Sequence, residues 1–225
     1  MSFKQIYENK RPVISLEFFP PKQDSDLPAV FELMRRLGEL NPDFMTVTYG
    51  AGGTTRDRTR EMVAFIRHQL KVPAVAHMTC VGHTREELET MLASLGAWNL
   101  FHVLALRGDP PQGTQKFEPT PGGFTCARDL TRFISSHANF SVAVAGYPEV
   151  HPEALSAEVD LAYLREKVDA GAEVILTQLF FDNQRYFEFV EKARKIGINV
   201  PVVPGVMPIT NIQQLERFTS MCGAS

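Results

Sequence analysis

The residues of this chain that could do chemistry are acidic, imidazole and guanidinium groups set at the ends of apolar runs. Glu17 stands in the run VISLEFF, where an unpaired carboxylate is costly to bury, so desolvation should raise its pKa. A raised pKa is what a carboxylic acid needs to act as a general acid near neutral pH. The alternative is a buried ion pair of Glu17 with Arg107 or His77.

Asp109 follows Arg107 by two residues and precedes two prolines that stiffen its loop. It could supply a fixed negative charge or accept hydrogen bonds from a heterocycle, and the alternative is a turn aspartate paired locally with Arg107. His77 interrupts an apolar run, where a histidine is more often a satisfied core residue than a ligand. Tyr147 and His151 share one short segment, which favours a functional role for that segment.

These residues depend for their position on seven apolar, β-branched runs that alternate with helical segments. The runs recur at intervals of about 30 residues, the length of a strand-helix-strand unit, and this alternation predicts a parallel sheet. Thr84-x-x-Glu87 predicts a capping box at the start of one helix, and Gly171 predicts the end of another. The predicted strands span residues 13–19, 44–50, 74–80, 99–107, 141–147, 173–181 and 202–207.

The way in which the sheet closes is indicated by the residues directly after the first strand. An open doubly wound sheet typically has a phosphate loop such as G-x-G-x-x-G there, whereas this chain continues with FPPK. The even spacing therefore favours a (β/α)8 TIM-type barrel, in which functional residues lie where the strands end. Seven βα units are evident and no eighth strand is. Since such barrels take about 250 residues, we expect residues 1–225 to form a single barrel catalytic domain that is C-terminally truncated.

Composition excludes several classes of protein. With 44% hydrophobic and 22% charged residues the chain is not a disordered segment, and a net charge of −3 gives no electrostatic case for nucleic acid. Three cysteines without C-x-x-C spacing argue against a disulfide framework or a thiolate zinc site. No H-E-x-x-H motif indicates a metal site, and no run approaches about 18 apolar residues. We expect a cytoplasmic protein with no membrane contact and no metal.

Eight segments in order resemble methylenetetrahydrofolate reductase of the bacterial, FAD-dependent type. The resemblance implies FAD held at the C-terminal mouth of the barrel, reduced by NADH or NADPH, and a folate substrate. The reaction implied is reduction of 5,10-methylenetetrahydrofolate to 5-methyltetrahydrofolate with ping-pong kinetics, in one-carbon and methionine metabolism, by a homo-oligomer. The segments are residues 15–22 (SLEFFPPK), 47–53 (VTYGAGG), 77–80 (HMTC), 106–110 (LRGDP), 147–153 (YPEVHPE), 167–172 (KVDAGA), 177–181 (TQLFF) and 204–208 (PGVMP).

The same resemblance implies a role for each matching position. Glu17 is expected to be the general acid that helps to open the imidazolidine ring, and Asp109 to tune the flavin and stabilise the cationic intermediate. The other expected substrate contacts are Gln178, Gln214 and Phe218. The expected flavin contacts, besides Asp109, are Thr48, His77, Arg107, Tyr147, His151, Asp160 and Lys167.

Two other functions stay open at this point. The chain could be a catalytically incompetent fragment that binds flavin or a partner without turnover, as an absent eighth strand would suggest. It could also be another barrel acting on a pterin, such as a methyltransferase, although the zinc or corrinoid site expected of that class has no sequence signal here.

Overall fold

A computed structural model describes residues 1–8, 12–49, 56–109 and 117–222, without the side chains of residues 56, 214, 217 and 220–222. These residues form one sheet of seven parallel strands, in which the strands pair in chain order. The predicted seven-stranded parallel sheet is thereby confirmed. The strands are β1 (Ser15–Phe18), β2 (Phe44–Val47), β3 (Ala74–Thr79), β4 (His102–Leu106), β5 (Ser141–Gly146), β6 (Ala172–Thr177) and β7 (Val202–Val203).

All seven strands end earlier than predicted, because pairing stops where the chain turns into the loops that carry the polar residues. Thr48 and Arg107, which the sequence placed within strands, directly follow the last residues of β2 and β4. Polar side chains on such loops lie at the rim of the sheet, whereas side chains inside a strand lie on one of its two faces.

Eight α-helices in the described residues cover the sheet or close its end. Two helix signals are confirmed: Thr84 and Glu87 form a reciprocal capping box at the start of one helix, and Gly171 ends another with a φ of 115°. No helix among the described residues is long and apolar enough to cross a membrane. The helices are α1 (Phe3–Tyr7), α2 (Leu27–Gly38), α3 (Arg56–Phe65), α4 (Arg85–Ala97), α5 (Ala127–Ser135), α6 (Ala157–Asp169), α7 (Asn183–Lys195) and α8 (Ile212–Cys222).

The sheet curves into an open barrel with an outer and an inner face. On the outer face, Met45, Ala76 and Val103 pack beneath α2 to α5, and a second apolar cluster joins β5 and β6 to α6 and α7. The inner face contains a third apolar cluster, to which Phe44 and Val75 belong. Alternation of side chains along each strand therefore buries both faces, as a parallel sheet requires.

The short helix α1 closes the end of the barrel at which the strands begin. Phe3 and Ile6 join the inner apolar cluster, and the Phe3 amide donates to Ser141 Oγ over 2.8 Å. The Lys4 amide donates to Glu173 Oε2 over 3.1 Å, so the first turn of α1 is tied to β6 as well. The sequence analysis did not predict α1, because five residues are too few to show a helical period. With this end filled, the opposite end holds the open cavity.

Candidate active site

A cavity of about 260 Å³ opens at the end of the barrel where the strands finish. Its walls come from β1, β3, β4, β5 and β6, from the residues after β4, β5 and β6, and from α5 and α6. Parallel strands deliver the residues at their carboxyl ends to one mouth, which explains why residues far apart in sequence meet here. The polar lining residues are Glu17, His77, Arg107, Asp109, Tyr147, His151, Lys167, Thr177 and Gln178.

The other residues singled out from the sequence lie elsewhere or outside the described residues. Thr48 directly follows β2, where its amide donates to Phe18 and its carbonyl accepts from Thr59 Oγ1. Asp160 is on α6, behind the cavity wall, and Phe218 is half-buried on α8. The side chain of Gln214 lies outside the described part of the chain, as do residues 50–53 and 110 of the resembling segments.

Glu17 lies on β1 between two residues that face the outer core, so its own side chain faces the interior of the barrel. The side chain is 46% exposed, yet desolvation raises the pKa of its carboxyl group. The carboxyl group is partly exposed and yet desolvated, because the cavity beside Glu17 admits water while protein surrounds the carboxyl group on its other sides. The raised pKa expected from the sequence is confirmed in direction, and its cause is the desolvation that was expected.

His77 is the nearest ionisable partner of Glu17, with 3.7 Å between His77 Nε2 and Glu17 Oε2. Burial lowers the pKa of His77 to about 3, so the ring is neutral at neutral pH and the two residues do not form an ion pair. Nε2 is instead 2.7 Å from the hydroxyl of Thr46, a residue that the sequence analysis did not select. The sequence feature that could have indicated Thr46 is its position: it lies two residues before Thr48, on the inward face of a strand that is otherwise apolar.

Arg107 is held by Glu153, not by Asp109. Its guanidinium donates two hydrogen bonds to the Glu153 carboxylate, from Nη1 over 2.5 Å and from Nη2 over 2.7 Å, and lies 4.9 Å from the centre of the Phe117 ring. The bond to Glu153 raises the pKa of Arg107 and lowers the pKa of Glu153. The local Arg107–Asp109 pair considered above is therefore absent among the described contacts, and Asp109 stands exposed at the rim.

His151 presents a hydrogen-bond donor whose position is fixed by its loop. The Glu153 amide donates to Nδ1 over 3.1 Å, so the proton of the neutral ring is on Nε2. Burial lowers the pKa of His151, which favours that neutral form. The ring centre lies 4.6 Å from that of Tyr147, and the His151 amide donates to Asp160 Oδ2 over 3.0 Å. Asp160 thus holds the loop from behind.

Lys167 brings a second cation to the same side of the cavity as Arg107. It lies on α6, and its Nζ donates to the carbonyl of Ala145 over 2.6 Å. Desolvation lowers the pKa of Lys167 to about 8, so most molecules carry the charge at neutral pH. The cavity therefore has two cations on the side of β4 and β5 and a carboxyl with a raised pKa on the side of β1.

The loops after β6 and β7 approach each other closely. The Gly205 amide donates to Thr177 Oγ1 over 2.9 Å, and a Cβ at residue 205 would lie 2.6 Å from the Thr177 carbonyl oxygen. Only glycine permits this approach. The Gln178 amide donates to the Gly146 carbonyl over 2.8 Å, and its Oε1 accepts from the Leu179 amide over 2.8 Å. The Gln178 side chain is thus held in one orientation at the cavity.

Comparison with solved structures identifies the fold. A Clostridium thermocellum protein described as binding two copies of 5-methyl-5,6,7,8-tetrahydrofolic acid superimposes with a TM-score of 0.63 at 16% identity, covering 99% of this chain and 74% of its own. Ligand-free tryptophan synthase from M. tuberculosis gives a TM-score of 0.61 at 16% identity, covering 100% of this chain and 87% of its own. At this identity the likeness concerns the fold alone, and it agrees with the TIM-type barrel predicted from the sequence.

Comparison of sequences identifies the family. Methylenetetrahydrofolate reductase (NADH) 1 of Arabidopsis thaliana is 42% identical over 97% of this chain, which spans 39% of that protein. The 5,10-methylenetetrahydrofolate reductases of Salmonella typhimurium and Escherichia coli are 40% and 39% identical over 92% of this chain, which spans 68% of each. The family model of methylenetetrahydrofolate reductase matches residues 2–225. The chain belongs to the methylenetetrahydrofolate reductase family.

Proposed function

We propose that this chain reduces 5,10-methylenetetrahydrofolate to 5-methyltetrahydrofolate, with FAD bound at the open end of the barrel and NADH or NADPH as the reductant. Family membership supports the reaction. One observation connects the proposal to particular residues. Glu17, whose pKa is raised, lines the same cavity as the cations Arg107 and Lys167, on the opposite side. We expect the domain to work as a cytoplasmic homo-oligomer.

The donor groups of the cavity fit FAD. Arg107 and Lys167 are cations, and His151 Nε2–H is a neutral donor; such a set suits the pyrophosphate and polar groups of a dinucleotide. Thr48, His77, Tyr147 and Asp160 complete the expected contacts, with Asp160 acting through the loop of His151. When bound, FAD supplies the centre that accepts hydride from the nicotinamide and gives it to the folate.

Glu17 is the proposed general acid. Opening of the five-membered imidazolidine ring of the substrate leaves a nitrogen that must gain a proton, and a carboxylic acid whose pKa is raised by desolvation is suited to donate it. The neutral His77 ring beside Glu17 adds no positive charge that would lower the pKa of the acid. Thr46 holds that ring in place through its hydroxyl.

The remaining proposed roles concern positive charge and substrate contact. Asp109 is exposed at the rim, where its carboxylate favours a cationic form of the opened substrate. Gln178, held by the Leu179 amide, lies in the cavity wall as a substrate contact, and Gln214 and Phe218 on α8 are proposed to join it. Nicotinamide and folate then occupy the same cavity in turn, which is the ping-pong order.

The experiment that tests this function follows the two half-reactions separately. The purified protein should show a flavin spectrum, lose it on addition of NADH or NADPH without oxygen, and regain it on addition of methylenetetrahydrofolate. A colourless protein that takes up no added FAD would exclude the flavoenzyme. Reduction by the nicotinamide without reoxidation by the folate would instead favour a fragment that binds flavin without turnover.

A further inference from the structure

A second cavity, of about 230 Å³, lies on the outer face of the sheet between α3 and α4. Its floor is β3, where Ala76 and Met78 are buried in the outer core. His77 lies between them and turns its ring to the inner face, toward Thr46. One strand, β3, therefore separates the candidate active-site cavity from this second cavity.

The walls of this outer cavity are mainly apolar. Met91 and Leu95 of α4 and Trp98, the residue directly after α4, face it at helical spacing, and α3 contributes Val63. Other neighbouring helices such as α5 and α6 pack directly against each other, but α3 and α4 make few contacts across this space. Packed interiors contain few voids larger than a water molecule, so a lined space of this volume is a candidate for a ligand.

Arg60 gives the cavity a positive charge that has no anionic partner among the described residues. In that part of the chain its contact is with the Trp98 ring, whose centre lies 5.0 Å from the guanidinium carbon. Its neighbour on α3, Arg58, is paired with Asp24. Glu87 also lines the cavity, but its carboxylate accepts from the Thr84 amide in the capping box. A cation–π contact leaves the N–H donors of a guanidinium able to bind a carboxylate.

We propose that the outer cavity binds a small organic carboxylate that carries one aromatic ring. The ring lies among Met91, Leu95 and Trp98, and the carboxylate pairs with Arg60. An apolar cavity of about 150 Å³ accommodates benzene, so the volume here leaves room for a ring with a short acid chain. This site is separate from the proposed flavin site and does not rest on the proposed function.

Trp98 is the only tryptophan of the chain, so all tryptophan fluorescence comes from a residue that lines this cavity. We expect 3-phenylpropanoate, added to the purified protein, to change that fluorescence saturably, with the same affinity by calorimetry. Arg60→Gln should weaken binding at least tenfold, whereas Arg36→Gln, which removes an exposed charge on α2, should not. The uncharged 3-phenylpropanamide should bind at least tenfold more weakly than the acid.

A second variant tests the location by filling the space. Ser94 lines the cavity from α4, and Ser94→Phe should abolish calorimetric binding while the circular dichroism spectrum and the thermal unfolding midpoint stay unchanged. Three results would overturn the proposal: no saturable binding, equal affinity for the acid and the amide, or undiminished binding in Arg60→Gln. Binding retained by a folded Ser94→Phe protein would put the ligand elsewhere and overturn it as well.

Discussion

The two ends of the barrel interior each contain a buried histidine, in different surroundings. At the open end, His77 contacts the Thr46 hydroxyl and borders the candidate active-site cavity. At the closed end, His102 lies edge-on to Phe3 of α1, with ring centres 4.9 Å apart, and its Nε2 has no hydrogen-bond partner among the described residues. Burial lowers the pKa of both rings, to about 3 and about 4.

The comparison shows that residue type and burial do not by themselves make a functional residue. Both histidines are neutral near pH 7, and both face the interior from neighbouring strands. They differ in their surroundings. Apolar side chains fill the end of the barrel that contains His102, whereas His77 borders an open cavity that contains a carboxyl group and two cations. We therefore expect substitutions at the open end to change catalysis and substitutions at the closed end to change stability.

The largest effect is expected for Glu17→Gln, which keeps the shape of the side chain and removes its acid. If Glu17 donates the proton, the folate half-reaction should slow by about 10² to 10⁴, while reduction of the flavin by NADH stays within about twofold. Stopped-flow absorbance of the flavin measures both steps, and Glu61→Gln, exposed on α3, is the matched control. Equal loss of both half-reactions would mean that Glu17 is structural.

The pH profile sharpens the same prediction. Only the protonated acid can donate, so the folate half-reaction should slow as pH rises through the pKa of Glu17. Because desolvation raises that pKa, the inflection should lie above the ordinary value of 4.5 for a glutamic acid. The inflection should vanish in Glu17→Gln and be absent from the reduction by NADH. A profile that keeps it in the variant would assign the proton to another group.

At the closed end, Phe3→Ala should lower the free energy of unfolding by about 3 kcal/mol, because it removes a fully buried ring. Urea unfolding followed by circular dichroism measures this loss. The control is Phe187→Ala, since the Phe187 side chain on α7 is 62% exposed. The rates of both half-reactions per folded molecule should not change, and a selective loss of either one would contradict the division between the two ends.

A smaller effect is expected for Glu153→Gln, which breaks the bidentate pair that holds Arg107. The pair is partly exposed, and solvent screens such pairs, so we expect FAD to bind about three- to tenfold more weakly. Titration of the apoprotein with FAD measures the affinity. Glu166→Gln removes a comparable partner of Arg128, in a pair that does not line the cavity, and should leave the affinity for FAD unchanged. Tighter binding in Glu153→Gln would mean that Glu153 competes with the flavin for Arg107.

The smallest effect at neutral pH is expected for His102→Leu. Nε2 of His102 has no hydrogen-bond partner among the described residues, so the substitution breaks no hydrogen bond of that atom there. Its free energy of unfolding should stay within about 1 kcal/mol of the parent protein at pH 7. Since the folded pKa of His102 is about 4 and its ordinary value is 6.5, the parent loses stability as pH falls between these values. The variant should lose less over that range, as urea unfolding at several pH values would test.

Much of the fold could be predicted from local pattern. Local sequence was enough to predict the seven strands, the capping box at Thr84 and the end of a helix at Gly171. Each of these features depends on residues only a few positions apart. Helix α1 could not be predicted in this way. It is five residues long, and what stabilises it is the contact of Phe3 with Phe44, His102 and Ser141 on three distant strands.

The sequence predicted most of the residues that line the candidate site, but it did not predict which residues they contact. Polar residues after successive strands meet at one mouth in a barrel, which is why most of those selected line one cavity. Thr46 and Glu153 were missed, because their roles depend on which partner lies within hydrogen-bonding distance. Arg107 had a near neighbour of opposite charge in Asp109, and yet it pairs with Glu153, which is 46 residues away.

The sequence by itself determined the order of strands and helices, the barrel class, the likeness to the family and the apolar setting that raises the pKa of Glu17. Those properties come from side-chain types at short spacing. Only the tertiary structure decided that Glu153 holds Arg107, that α1 closes one end, and that a space remains between α3 and α4. Pairing, desolvation and empty volume depend on distances between residues far apart in the chain, which local spacing does not fix.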